Sequence, residues 1–306
     1  MTGRLRSESG QAILVTVLFL TVLLGAVALT LDVGAWYREQ RQAQATADAA
    51  ALAGAQSLPT DPAQAITLAQ QYANANGGGV VPGGITLQDD AEPNDTVAVD
   101  VSRTTPGFFS RLFAIDSTTV HASAAARAGV PQQAKWVAPI VVNKLHPLLS
   151  GPGCPCFRAE TTLTLSKNGA PGAFDLVNLD PSAGGTVGSS VLASWIQSGF
   201  NQYLALGGYR SDPGAKFDST DIRAALSARV GTELLFPVYD TLTGGGSNAT
   251  YNVIGWVAFH LDGFDDSHGN SQTLTGYFTR VIWEGIQSAS NKNLPDFGVY
   301  TVSLVN

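Results

Sequence analysis

Residues 9–57 read SGQAILVTVLFLTVLLGAVALTLDVGAWYREQRQAQATADAAALAGAQS, and this stretch decides the architecture. Its first part, Ala12–Leu31, is a run of 20 residues without a charge. At ~1.5 Å of rise per residue, a helix of that length crosses the ~30 Å apolar core of a bilayer. No Gly-Pro break separates it from the alanine-rich stretch that follows, so one helix is expected from about Ser9 to Ser57, ended by Pro59. Gly25 lies inside the apolar run, where glycine is tolerated. Beyond it, Ala43, Ala47, Ala51 and Gly54 share one face, with Ala45, Ala49 and Ala53 beside them. Side chains this small let another backbone come close, so these positions with Gly25 are the candidate helix-packing or assembly residues. The plainer reading is that alanine is simply the best helix former.

A cleaved secretory signal competes with a retained anchor. Arg4 and Arg6 suit a signal's basic start, and small residues follow, but the apolar run exceeds the ~7–15 residues usual for a signal. Retention is the expectation. Cleavage as in a type IV prepilin would call for Glu at the fifth position after Gly10, where Val15 stands. Basic residues flank the span almost equally, Arg4 and Arg6 before it and Arg38 and Arg41 after it. The Gly-rich, charge-poor remainder looks exocytoplasmic, which puts the N-terminus in the cytoplasm.

The 306 residues carry 24 acidic against 17 basic side chains, a net charge of -7, with no basic block. A nucleic-acid partner is therefore not expected. After Pro59, Asp61 as N-cap, Pro62 in the first turn and Gly77 as stop mark a helix. Residues 78–84 read as a loop. Residues 95–103 and 117–127 alternate as strands, and PGFFSRLFAIDS between them reads as a short amphipathic helix around Phe108, Phe109, Leu112 and Phe113. The domains expected are 1–58 (tail, span at about 12–31 and helical extension), a small α+β module at 59–130, a linker at 131–138, and a β-rich domain at 139–306.

In that last part, strands are predicted at 161–166, 174–179, 233–240, 251–262, 273–283 and 298–305. Residues 137–142 also read as a strand, 251–262 and 273–283 form a hairpin, and helices fall at 190–200 and 219–230, the second closed by Gly231. The class is α+β: a single N-terminal transmembrane helix continuing as a long alanine-rich helix, a small α+β module, then mostly antiparallel β with two helices.

The N-terminal residues resemble the TadE/TadG-like proteins of tight-adherence (Flp-type) pilus systems. The shared features are Gly10-Gln11 before the apolar run, Asp32-Val33-Gly34 closing it, Trp36-Tyr37-Arg38, and the stretch from Ala47 to Ala55. VAVDVSRTTPGFFSRLFAIDSTTVHASAAARAG also fits the family's strand, short aromatic helix and strand. The resemblance, over about the first 130 residues, implies a membrane-anchored, minor-pilin-like or assembly protein at a bacterial inner membrane. Its partners would be the lipid bilayer and other pilus subunits. Some TadG proteins carry a von Willebrand type A domain, but its Asp-x-Ser-x-Ser metal motif is absent here, so metal-dependent adhesion is not carried over. An envelope-tethered binding protein or adhesin is the alternative.

Candidate chemistry is sparse, and neither enzymatic activity nor a cofactor or small-molecule substrate is expected. Cys154 and Cys156 fit structural cysteines, a local disulfide, an intersubunit bridge, a redox pair, or a metal site with His146. The structural reading leads, although so tight a spacing works against an intrachain bond. His121, His260 and His268 are scattered. Asp262, Asp265, Asp266, His268 and Asn270 gather oxygen ligands without EF-hand order, so a solvated hairpin loop is the simpler reading. Gly244-Gly245-Gly246 lacks the lysine of a phosphate loop and reads as a turn. Trp195, Trp256 and Trp283 suit a core better than a sugar platform. Asn94 and Asn248 open glycosylation-type triplets to which a bacterial setting gives no role.

Overall fold

The structure is a computed structural model that describes residues 9–165, 173–180, 182, 185–212, 216–265, 272–287 and 294–305, with the backbone alone for 9–11. The chain divides into two compact units, Met1–Arg127 with Leu304–Asn306, and Ala128–Ser303.

The first unit is built on α1 (Ser9–Ala55), a single helix of 47 residues. Turn residues follow to Pro59, whose missing N–H ends helical pairing. Helix α2 (Pro62–Ala75) starts where the local signals place it: the Asp61 carboxylate accepts from the Gln64 N–H at 2.9 Å, and Gly77 takes a positive φ beyond the end. Strands β1 (Val80–Gln88), β2 (Thr96–Pro106) and β3 (Ser117–Gly129) follow. Strand β2 pairs antiparallel with both neighbours, in unbroken register with β3 from Thr96↔Arg127 to Pro106↔Ser117.

Two expectations are corrected in this unit. Residues 78–84 are not all loop. Strand β1 starts at Val80 and passes Gly83 and Gly84 through a register shift, because pairing with β2 supplies the hydrogen bonds that glycine propensity opposes. The stretch after Pro106 forms only one 3-10 turn, Ser110–Phe113, and its large apolar side chains face outward rather than into a core.

The second unit holds β4 (Pro131–Ala134), β5 (Ile140–Asn143), the single turn α3 (Pro147–Ser150), β6 (Glu160–Leu165) and β7 (Ala173–Val177). Next come α4 (Ser189–Ser198), β8 (Leu204–Ala205), β9 (Gly207–Asp212), α5 (Thr220–Arg229), β10 (Thr232–Thr243) and β11 (Thr250–Asp265). Strands β12 (Thr273–Thr279), β13 (Val281–Ile282), β14 (Gly285–Gln287) and β15 (Val299–Val305) complete the chain. Within residues 131–138, strand β4 pairs with β8 and β14.

The main sheet runs β10-β5-β7-β6-β12-β11-β9, and a further β10–β11 pairing closes it on itself. It is mostly antiparallel; β5–β10 and β6–β7 are the parallel pairs. Closure puts apolar residues on both faces of its central strands. On one face Leu234, Phe236, Val257, Phe259 and Leu261 pack with Leu192 and Ile196 of α4 and Ile222 and Leu226 of α5. On the other, Leu235, Tyr239, Trp256 and Ala258 pack with Val137, Val141 and Val177. The α+β class is therefore observed, with a long apolar N-terminal helix and mostly antiparallel sheet.

Candidate functional site

Among the described residues, α1 is the one helix long and apolar enough to cross a membrane, and its apolar window is wholly unburied. Ile13, Leu18, Phe19, Val22, Leu24 and Leu31 are all exposed. Threonines inside the run satisfy themselves: Thr16, Thr21 and Thr30 each donate to the carbonyl four residues back, at 2.8–2.9 Å. A helix that covers its own polar groups and shows only apolar surface is suited to lipid. Gly25 has nothing within 4 Å, so its face of the helix is unoccupied.

Past Leu31 the environment reverses. Ala43, Ala47, Ala51 and Gly54 are buried, and α2 and β2 of the same chain cover them. A Cβ built on Gly54 would stand 2.9 Å from the Ala65 carbonyl oxygen, 3.1 Å from the Ala69 Cβ and 3.2 Å from a Val97 methyl. Helix α2 meets this stripe with its own small residues, Ala65, Ala69 and Ala73, all buried. The neighbouring buried row is Thr46, Ala50 and Ala53, whereas Ala45 is exposed and Ala49 half-buried. The stripe is thus a close-packing surface whose partner lies within the chain.

Polar clamps reinforce that packing. The Arg103 guanidinium bonds Glu39 Oε1 at 3.2 Å, Thr46 Oγ1 at 2.8 Å, the Asn76 carbonyl at 3.0 Å and the Gly78 carbonyl at 2.9 Å. One forked cation therefore joins α1, the end of α2 and the start of β1, a task for which a lysine lacks the donors. Gln40 and Gln44 donate to the His121 and Ser123 carbonyls of β3 at 2.7 and 3.0 Å. At the end of the apolar run, the buried Asp32 carboxylate accepts from the backbone N–H groups of Phe108, Phe109 and Ser110 at 3.2, 2.9 and 2.6 Å. Bonds to an ionised acceptor are the strong kind, so this single side chain fastens the β2–β3 connection to the helix where the apolar span stops.

The remaining candidates take structural positions. Cys154 and Cys156 are bonded to each other, with Cα atoms 4.4 Å apart, at the short end of the range disulfides occupy. His146 sits beside that loop, buried. Its Nδ1 accepts from the Leu148 N–H at 3.1 Å, its Nε2 lies 3.3 Å from Thr161 Oγ1, and its ring meets Phe278 edge-on at 5.0 Å. Burial lowers its pKa, so the neutral imidazole that accepts this bond is favoured. Trp256 is core, and Trp195 and Trp283 pack half-buried against it. Gly244 and Gly246 take positive φ in the turn joining β10 to β11.

Asp262 lies 3.7 Å from His260 Nε2, while Asp266, His268 and Asn270 lie outside the described residues. Among the described residues no group of three or more His, Cys, Asp or Glu side chains is gathered to hold a metal. A buried polar centre that sequence reading missed joins Asp175 Oδ2 to the Tyr251 hydroxyl at 2.7 Å, and Tyr251 meets Tyr239 edge-on at 4.7 Å. Burial, and then the Asp175 charge, raise the Tyr251 pKa, so the phenol stays protonated and donates. No periodicity announces such a pair, whose members lie 76 positions apart.

Residues 10–57 match the family described as "Putative Flp pilus-assembly TadE/G-like". The matched segment coincides with α1 and its turn, the bare span together with the clamped stripe. No curated protein and no solved structure matches the chain.

Proposed function

We propose that this chain is a bilayer-anchored, non-enzymatic structural or assembly subunit of a Flp-type pilus. Its N-terminus lies in the cytoplasm, its single span in the inner membrane of a bacterium, and both folded units outside. The domain division proposed with it is the tail and helix at 1–58, the small module at 59–130, and the β-rich domain at 139–306 beyond a junction at 131–138. The observation that carries the reading is the family match over residues 10–57, which falls on one continuous helix. The covered stripe at Ala43, Ala47, Ala51 and Gly54 is engaged inside the chain, so contacts with other subunits draw on surfaces left open. Within the span, the unoccupied face at Gly25 is the one where another helix could come close.

The test is deletion of the gene followed by complementation, with pili counted by electron microscopy and the protein quantified in the inner-membrane fraction. Loss of pili is expected, with rescue by the wild type and by Gly25→Ala but not by Gly25→Leu at equal protein level. Normal piliation in the deletion strain would refute an assembly role. Normal piliation with loss of surface binding would instead support the tethered adhesin.

A further inference from the structure

The β2–β3 connection carries surface that the pilus reading does not use. Residues 107–116 read GFFSRLFAID. Their apolar side chains are open to solvent: Phe108 is 71% exposed, Phe109 49%, Leu112 91%, Phe113 69% and Ile115 46%. A loop tip in water is ordinarily polar; a contiguous group of aromatic and aliphatic side chains marks a surface that something covers.

The position of the group identifies what covers it. Three backbone N–H groups of this connection are bonded to Asp32, the first charged residue after the apolar run. The tip is therefore fixed beside the helix at the level where the span ends and the headgroup region begins. Aromatic side chains are favoured at that depth, and the adjacent helix supplies more of them: Trp36, half-buried, and Tyr37, 62% exposed. Arg111, next to Ser110, and Arg38, about 9 Å further along α1 than Asp32, are exposed cations, as an anionic headgroup layer favours. The exposed apolar surface of α1 thus continues onto this tip. We propose that residues 108–115 insert into the outer leaflet beside α1, as a second lipid contact that sets the module's orientation on the membrane. The inference rests on the reading of α1 as a spanning anchor.

Full-length protein carrying one added cysteine is labelled with an environment-sensitive nitrobenzoxadiazole dye, under non-reducing conditions that leave Cys154–Cys156 bonded. It is then reconstituted into vesicles of phosphatidylethanolamine and phosphatidylglycerol, with or without lipids spin-labelled both near the headgroup and deep in the acyl chain. Sites are Leu112→Cys at the tip, Leu23→Cys in the span, and Gln64→Cys, which is exposed on α2 near Gly54 and about 33 Å along α1 from Asp32. The expected result is blue-shifted emission at 112 and 23, quenched by the spin-labelled lipid, with emission at 64 unquenched and open to iodide. Emission at 112 as iodide-accessible as at 64, with 23 still quenched, overturns the insertion while the anchor stands. Protection from iodide at 112 without quenching by the lipid also overturns it, because protein would then be the cover. Failure of quenching at 23 overturns the anchor reading itself.

Discussion

Gly54→Ala isolates the close approach on which the first unit depends. The added methyl would meet the Ala65 carbonyl oxygen at 2.9 Å, inside any ordinary carbon–oxygen contact, and also Ala69 and Val97 at 3.1 and 3.2 Å. The first of these is backbone, so α2 must move rather than rotate a side chain away. Overpacking of this kind costs about 1–3 kcal/mol. Replacing a helical glycine by alanine returns at most ~1 kcal/mol, and less here because Gly54 lies in the last turn of α1. The net expectation is destabilisation of α2 docking by up to ~3 kcal/mol, or up to ~100-fold in its opening equilibrium. Gly34→Ala is the reference, since that glycine is in the same helix with nothing within 4 Å.

Hydrogen exchange measured by mass spectrometry on the full chain in detergent reads the opening directly. Peptides covering α2 should exchange faster in Gly54→Ala and unchanged in Gly34→Ala. Gly54→Leu, with three further carbons, should strip protection from α2 and β2 together. Exchange in α2 as slow in Gly54→Ala as in the wild type would refute the close contact, and with it the claim that the stripe packs within the chain.

Two further outcomes concern the second unit. The native pKa of His146 lies below its ordinary 6.5, so the unfolded state takes up the proton first as pH falls. The stability that neutral His146 contributes is complete above about pH 6.5 and is lost below it; urea midpoints followed by tryptophan emission should fall between pH 7.5 and 5.5, less so in His146→Gln, and an unchanged slope in that variant would refute the assignment. Replacing Cys154 and Cys156 by Ser should leave the protein monomeric on non-reducing gels and cost about 1–2 kcal/mol, the closure entropy of so short a loop; a cysteine-dependent dimer of the wild type would contradict the internal bond.

What could be read from the sequence was what local chemistry specifies. The apolar run and the alanines define α1. Asp61, Pro62 and Gly77 bracket α2, and the alternation of residues 95–103 and 117–127 gives β2 and β3. What escaped was non-local. Strand β1 crosses two glycines only because β2 pairs with it. Strands β8 and β9 contain Leu204–Ala205 and the Gly207-Gly208 pair, which carry no alternation. Strand 273–283 breaks into β12 and β13, which join different partners, β11 and β6 for the first and β15 for the second. Phe108, Phe109, Leu112 and Phe113 have the spacing of an amphipathic helix, and spacing alone sends them to a core; only the fold shows that no core is there. Ala43, Ala47, Ala51 and Gly54 could be placed on one face of the helix, but that α2 and β2 cover them required knowing where those elements lie.

The distribution of attachments along α1 explains why a single uninterrupted helix serves this molecule. Asp32 holds the β2–β3 connection at the end of the apolar run, Glu39 and Thr46 hold Arg103 in the middle, and Gly54 admits α2 at the far end. These points span about 33 Å of helix. A hinge anywhere among them would separate contacts that lie on different strands and helices, and the high helix propensity of alanine favours the unbroken helix that keeps them together. Clamped at three levels, the module is joined to α1 by contacts spread along the helix rather than at a single point. That distribution separates this unit from a globular domain hung on one flexible linker, and it places the 108–115 connection and the packing at Gly54 on one continuous helix.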